Sequence, residues 1–340
     1  MKKVLEQYGF NYAECKLTSL GSGLINETLL LEARGKKYVL QKINRNVFKN
    51  PQDIGYNIRL ISDHLKFNHP DYFFVAPLNT LLGSNMVEHA DEYFRIFPFV
   101  EGSHTVDVVE SADEAFEASR QFAAFTKRLK GLDPGSMKIT IPDFHNLILR
   151  MQQFEYAVSH GDQNRRVFCR KQIDYILDHR KIIGEFEFHL PDLRTRIMHH
   201  DTKISNVLFD SNDQGICVID LDTVMPGYFI SDVGDMMRTY LSPVDEEEKE
   251  FGRIMIRKEF YEAIVDGYLE EMGEELLEAE KALFGLAGRY MIYMQAIRFL
   301  TDHLNNDIYY GAKYDGHNLV RAKNQIELLD HFNLFKHVKK

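Results

Sequence analysis

The sequence predicts an α+β chain of two lobes: a small β-rich lobe over residues 1–100 and a large helical lobe over 101–340. Three observations predict it. Short strand-like apolar runs crowd the first hundred residues. After Glu101-Gly102 apolar residues recur at helical spacing over long segments. Three further strand-like runs interrupt those helices at 195–222 and carry a dense polar set. A length of 340 residues suits two domains or one two-lobed domain, at roughly 100–200 residues per domain.

In the first lobe LTSLGSG, INETLLLEA and KKYVLQKIN read as successive strands, with Arg34-Gly35 turning between the last two. Pro51 opens a helix through about Leu65, with Ile54, Ile58, Ile61 and Leu65 near helical spacing. Asn68-His69-Pro70 stops it. Strands are predicted again at 75–82 and 93–100.

In the second lobe Ser111 caps a helix with Asp113 and Glu114 in its first turn and Phe116, Phe122, Phe125 and Leu129 on its apolar face; Gly131 ends it. Phe144, Leu147, Met151, Phe154 and Val158 mark a second helix, and Ile173, Ile176, Leu177 and Ile183 a third. RIMHH, NVLFD and ICVIDLD are strand-like, with SNDQG turning between the last two. Helices return over roughly 247–272, 275–304 and 318–333, and the acidic runs DEEEKE (245–250) and EEMGEE (270–275) read as solvated helix ends. No internal repeat and no flexible tether occurs.

Composition narrows the function. Lys plus Arg number 41 against 51 Asp plus Glu, a formal charge of −10 that argues against a general nucleic-acid or anionic-membrane binder. The three cysteines, Cys15, Cys169 and Cys217, are far apart, which disfavours zinc and a disulfide framework and fits a reducing cytoplasm. MKKVLEQYGF has no apolar signal core, and no uncharged apolar stretch is long enough to span a bilayer.

The chemistry concentrates in His199-His200-Asp201-Thr202-Lys203-Ile204-Ser205-Asn206, followed fourteen residues later by Asp220 at the end of an apolar strand. Phosphoryl transfer needs a carboxylate to orient and deprotonate the attacking hydroxyl, and oxygen ligands to hold Mg²⁺ against the phosphates. Asp201 suits the base, Lys203 the γ-phosphate, and Asn206 with Asp220 the metal. The bland alternative, a hairpin whose Asp and Asn bond their own turn, leaves the preceding His and the acid ending the next strand unexplained.

On these residues the chain resembles the aminoglycoside phosphotransferase and choline kinase family, which has a two-lobed protein-kinase-like fold. HHDTKISNVLFD, IDLDTVMPGYFISDVGDMMR and YVLQKINRNVFKNP are similar to its N-acetylhexosamine 1-kinase branch. The resemblance implies an ATP- and Mg²⁺-dependent kinase acting on a small-molecule acceptor, an amino sugar, in a cytoplasmic monomer or homodimer. It places Gly21 and Gly23 in the nucleotide loop, Gln41 or Lys42 at the phosphate-binding position, and Phe97 and Phe99 in the strand and hinge beside adenine. It places Asp232 and Asp235 as supports of the catalytic loop.

The chain also departs from the kinase pattern. Residues 51–66 contain no Glu to pair with a strand Lys, so a Gln41–Asn57 polar pair is expected instead. Asp222 shares the face of Asp220 and is expected to brace the loop or reach a second metal. For the acceptor, Arg298 and Asp302 stand four apart on a helix and read either as an i,i+4 pair or, with Tyr309, as sugar ligands. Choline, an aminoglycoside or another sugar are competing acceptors, and a nucleotide-binding pseudokinase is the competing class.

Overall fold

The structure, a computed structural model, describes residues 1–20 and 25–337; Gly21 and Gly23 lie outside the described residues. Packing divides the chain into two compact units. The first is assembled from three stretches, Met1–His104, Arg128–Pro142 and Leu208–Pro226, and the second from the rest.

The first unit is built on a five-stranded antiparallel sheet in the order β1-β2-β3-β5-β4. Its strands are β1 Lys16–Ser19, β2 Glu27–Ala33, β3 Lys36–Ile43, β4 Val87–His89 and β5 Glu92–Pro98. Arg34 and Gly35 both have positive φ (52° and 70°), as a two-residue hairpin twisting with its strands requires. One sheet face is sealed by a short N-terminal helix, α1 (Lys2–Gln7): Val4, Leu5, Tyr8 and Phe10 pack on Leu31, Leu40, Phe94 and Ile96. Helix α2 (Pro51–Asn68) carries Pro51 at its first turn and buries Ile54, Ile58, Ile61 and Leu65. The predicted strand at 75–82 does not form. Pro77 removes a ladder donor there, and only Leu78 reaches β5, through its N–H to Ile96 O at 2.7 Å. The edge strand beside β5 is β4, and β1 is the other edge.

The second unit is helical: α3 (Ala112–Arg128), α4 (Leu147–His160), α5 (Gln163–Phe168), α6 (Arg170–Asp178), α7 (Lys181–His189), α8 (Phe229–Tyr240), α9 (Lys258–Met272), α10 (Glu278–Lys281), α11 (Phe284–Leu304) and α12 (His317–His337). The Ser111 hydroxyl accepts the Glu114 N–H at 3.1 Å, and the Glu114 carboxylate accepts the Ser111 N–H in return, a capping box. Helix α11 is apolar on nearly every side and packs against α4, α7, α8 and α12, so it is the axis of the unit. Its crossing with α8 is close enough to require Gly234, where a Cβ would sit 2.4 Å from Ala287 O.

Two expectations fail in this unit. The single helix expected on Ile173, Ile176, Leu177 and Ile183 is two, α6 and α7, with the short α5 ahead of them starting at an Asp162 cap. Residues 245–250 are not a solvated helix end; α9 starts only at Lys258. Among the described residues no helix is long and apolar enough to cross a membrane.

Candidate active site

Residues 199–206, expected to form the catalytic loop, follow the strand Arg196–Met198 in the second unit. His200 turns the chain with φ 65°, a left-handed conformation that non-glycine residues adopt at a cost. Its ring lies where a Cβ on Gly227 would fall, 2.3 Å from His200 Cε1, so only glycine fits at 227. Asp201 is half-buried, and Lys203 Nζ stands 3.2 Å from its Oδ1. Asn206 Nδ2 donates to Asp201 O at 2.8 Å and to Asp201 Oδ2 at 3.2 Å. The structure thus brings Asp201, Lys203 and Asn206 together. Asn206 spends its amide N–H groups on Asp201, and its Oδ1 accepts no hydrogen bond among the described residues.

Helix α8 locks this loop from below. The two oxygens of buried Asp232 accept the N–H groups of His199 (3.0 Å) and His200 (2.8 Å). Asp235 Oδ2 accepts Thr202 N–H at 2.9 Å, and Tyr240 OH donates to Thr202 O at 2.5 Å. Burial pushes the Asp232 carboxyl up to about 7, against the pull of its two backbone donors. Burial also raises Asp235, while Arg238 at 2.9 Å opposes it. Asp232 spends both oxygens on the loop's backbone, and Asp235 spends one there and the other on Arg238, the geometry of supports.

In the same unit Arg298 makes no pair with Asp302. Its guanidinium donates to Gln295 Oε1 at 3.2 Å and Tyr309 OH at 3.4 Å. It lies 5.4 Å from the Phe144 centroid, 5.8 Å from Tyr309 and 5.4 Å from Tyr310. Among the described residues no carboxylate lies within ion-pair distance of Arg298 or of Arg150, whose charge it feels. Asp302, expected beside the sugar, faces the chain. It accepts Tyr309 N–H at 2.7 Å, Tyr310 N–H at 2.9 Å and Asn318 Nδ2 at 3.1 Å, all while 4% exposed. Its geometry is that of a loop brace, and the aromatic pair it holds adjoins Arg298.

The first unit holds Asp220, exposed beyond the strand Gly215–Val218 in a left-handed conformation with φ 58°. Strand alternation separates Gln41 from Lys42. Lys42 is on the α1 side and pairs with Glu92 (2.5 Å) and Glu27 (3.8 Å). Gln41 is on the other face, with Val39, Arg95 and Phe97 from β3 and β5. Its Oε1 accepts Arg95 Nε at 3.0 Å and a terminal guanidinium N–H of Arg95 at 2.8 Å.

The expected Gln41–Asn57 pair is absent, because Asn57 Nδ2 donates to Lys138 O (2.9 Å) and Val224 O (3.1 Å) and its Oδ1 accepts Lys138 N–H. Instead Arg95, 1% exposed, pairs with Asp222, 2% exposed, at 2.5 Å. Asp222 also accepts Asn26 Nδ2 at 2.7 Å, so it braces the turn that carries Asp220. Phe97 lies under the Arg95 guanidinium at 4.9 Å, and Phe99 lies past the end of β5, its ring 5.6 Å from Lys37 Nζ. Nothing in the sequence points to Arg95, because a lone Arg in a strand gives no signal until the register is known.

A model of the phosphotransferase enzyme family matches residues 16–278. Among solved structures, the chain is similar to an aminoglycoside phosphotransferase from Alicyclobacillus acidocaldarius, with TM-score 0.61 and 12% identity over 99% of this chain and 96% of that one. It is similar to a microcompartment-associated aminopropanol kinase, with TM-score 0.63 and 16% identity over 99% and 97%. It is also similar to a choline kinase from Cryptosporidium parvum, with TM-score 0.56 and 15% identity over 96% and 90%. These likenesses show the protein-kinase-like fold.

Proposed function

The chain belongs to the phosphotransferase enzyme family and is a small-molecule kinase with an alcohol acceptor; from that premise we propose that it uses ATP and Mg²⁺ to phosphorylate a neutral sugar, an N-acetylhexosamine, at its anomeric hydroxyl. One observation carries the acceptor. Among the described residues Arg298 is a cation without a carboxylate partner, set among Phe144, Tyr309 and Tyr310. A polycationic aminoglycoside or a quaternary ammonium would meet like charge there, while a hydroxyl or acetamido oxygen would find a donor. Asp302 offers such a cation no relief, because its oxygens are bonded to the chain.

Asp201 accepts the proton of the attacking hydroxyl, and Lys203 beside it counters charge that develops on the transferred group. Taken each within its own unit, Asn206 Oδ1 is a neutral oxygen that accepts no hydrogen bond among the described residues and Asp220 is an exposed carboxylate, the two kinds of ligand that suit Mg²⁺, which keeps most of its positions for water and phosphate. When bound, Mg²⁺ would neutralise charge on the triphosphate. The face of β3 and β5 that bears Gln41 and Arg95 offers half-buried Val39 and Phe97 as an apolar surface for adenine.

The test is ADP release by the purified protein with N-acetylglucosamine, N-acetylgalactosamine, choline and an aminoglycoside as acceptors. Turnover with an N-acetylhexosamine is expected; turnover confined to choline or the aminoglycoside would sink the acceptor assignment.

A further inference from the structure

The acidic run 245–250 leaves Asp245, Lys249 and Glu250 exposed but docks through its half-buried middle, Glu246 and Glu247. Glu247 pairs with Lys313 at 2.8 Å and with His317 at 3.4 Å, and Asp245 O accepts Asn324 Nδ2 at 2.9 Å. Glu246 goes deeper, between two arginines. One of its oxygens accepts Arg238 at 2.6 Å, and the other accepts Arg321. Each arginine leads to a different loop. Arg238 bonds Asp235 at 3.0 Å, and Asp235 holds Thr202 N–H, next to Asp201. Arg321 lies 3.7 Å from the Phe299 ring centroid and 5.1 Å from that of Tyr310, and donates to Asn318 Oδ1 at 3.2 Å. Asn318 in turn bonds Asp302, Asp307 and Gly311 O, which fix the Tyr309–Tyr310 loop.

We propose that Glu246 is a positioning residue that holds the catalytic loop and the Tyr309–Tyr310 loop in one register through Arg238 and Arg321. The inference rests on the reading that these loops supply the base and the acceptor contacts. Two guanidinium groups this close repel each other unless a carboxylate lies between them. Without it, either arginine can relax and release the loop it supports. A misplacement of about 1 Å costs about 10²-fold in rate even when the mutated group is remote from the chemistry.

The experiment compares wild type, Glu246→Gln, Glu246→Asp, Arg321→Gln and the double variant Glu246→Gln/Arg321→Gln. We expect kcat with an N-acetylhexosamine to fall at least about tenfold in Glu246→Gln while KM for ATP stays within about twofold, with a smaller loss in Glu246→Asp, which keeps the charge. The double variant should lose little more than either single one, because the pair acts as a unit. Hydrogen exchange adds a readout independent of the acceptor. Amides of 199–206 and of 306–316 should both exchange faster in Glu246→Gln or, if that variant does not fold, in Glu246→Asp. Faster exchange confined to 245–250, or additive losses, would overturn the proposal. Failure of the wild type to turn over any N-acetylhexosamine would instead overturn the acceptor assignment and leave the exchange result to decide this one.

Discussion

Asp201 and Arg298 divide the proposed chemistry into a proton step and a binding step, and single substitutions separate them. Asp201→Asn keeps the shape and loses the base, so kcat should fall about 10²–10⁴-fold while ATP still binds, measured by turnover and nucleotide titration. A wild-type kcat would remove Asp201 from the base role. Arg298→Ala should raise KM for the sugar and leave KM for ATP nearly unchanged; if neither constant moves, Arg298 only packs against its rings. Arg95 and Asp222 predict a stability effect. Both are almost fully buried, so Arg95→Met strands a carboxylate and should cost about 3–5 kcal/mol in denaturant unfolding. Arg95→Met/Asp222→Asn should cost less than that single change, since no charge is left unpaired. Equal or greater loss in the double variant would show that packing, not the ion pair, dominates there.

At the scale of elements, legibility followed how local the information was. The closeness of Asp201, Lys203 and Asn206 was legible because the three lie within six residues of chain. The Ser111 cap and the Arg34-Gly35 turn were legible for the same reason. Residues 75–82 were not, because apolar content resembles a strand until Pro77 is weighed against the ladder it would join. Gln41 versus Lys42 could not be decided without the pairing register, and Arg95 became visible only with it. Arg298 and Asp302 have ion-pair spacing, yet backbone donors from 309–310 outcompete the arginine for the carboxylate.

One helix boundary carries a pH dependence. His145, just ahead of α4, has its Nδ1 3.3 Å from His200 Nδ1, so one of the two rings must accept and stay neutral there. Burial holds His145 well below its ordinary 6.5, and the charges of His200, Arg298, Arg238 and Arg150 add to the effect. The folded-state pKa is depressed, so below 6.5 the unfolded chain takes up a proton that the folded chain refuses. Stability is therefore present above 6.5 and declines as pH falls, by at most about 1.4 kcal/mol per pH unit for this proton. His145→Gln should flatten the decline in melting temperature between pH 7.5 and 5.5 relative to wild type. Parallel profiles would mean that His145 titrates normally.

For the whole molecule, the division into a β-sheet unit and a helical unit sets which functions can be altered separately. The sheet unit carries Gln41, Arg95, Asp220 and Asp222; the helical unit carries the proposed catalytic loop and the Arg298 surroundings. The α+β class was legible from the change in periodicity near residue 100, whereas the return of 128–142 and 208–226 to the sheet unit was not, because that depends on long-range packing. Phosphoryl transfer from ATP to a sugar's anomeric oxygen would be recorded in the identity of the product. Phosphorus NMR of a reaction with N-acetylglucosamine or N-acetylgalactosamine should show a phosphate coupled to the anomeric proton. Phosphate on O6, or no phosphorylated sugar while another alcohol is turned over, would contradict it.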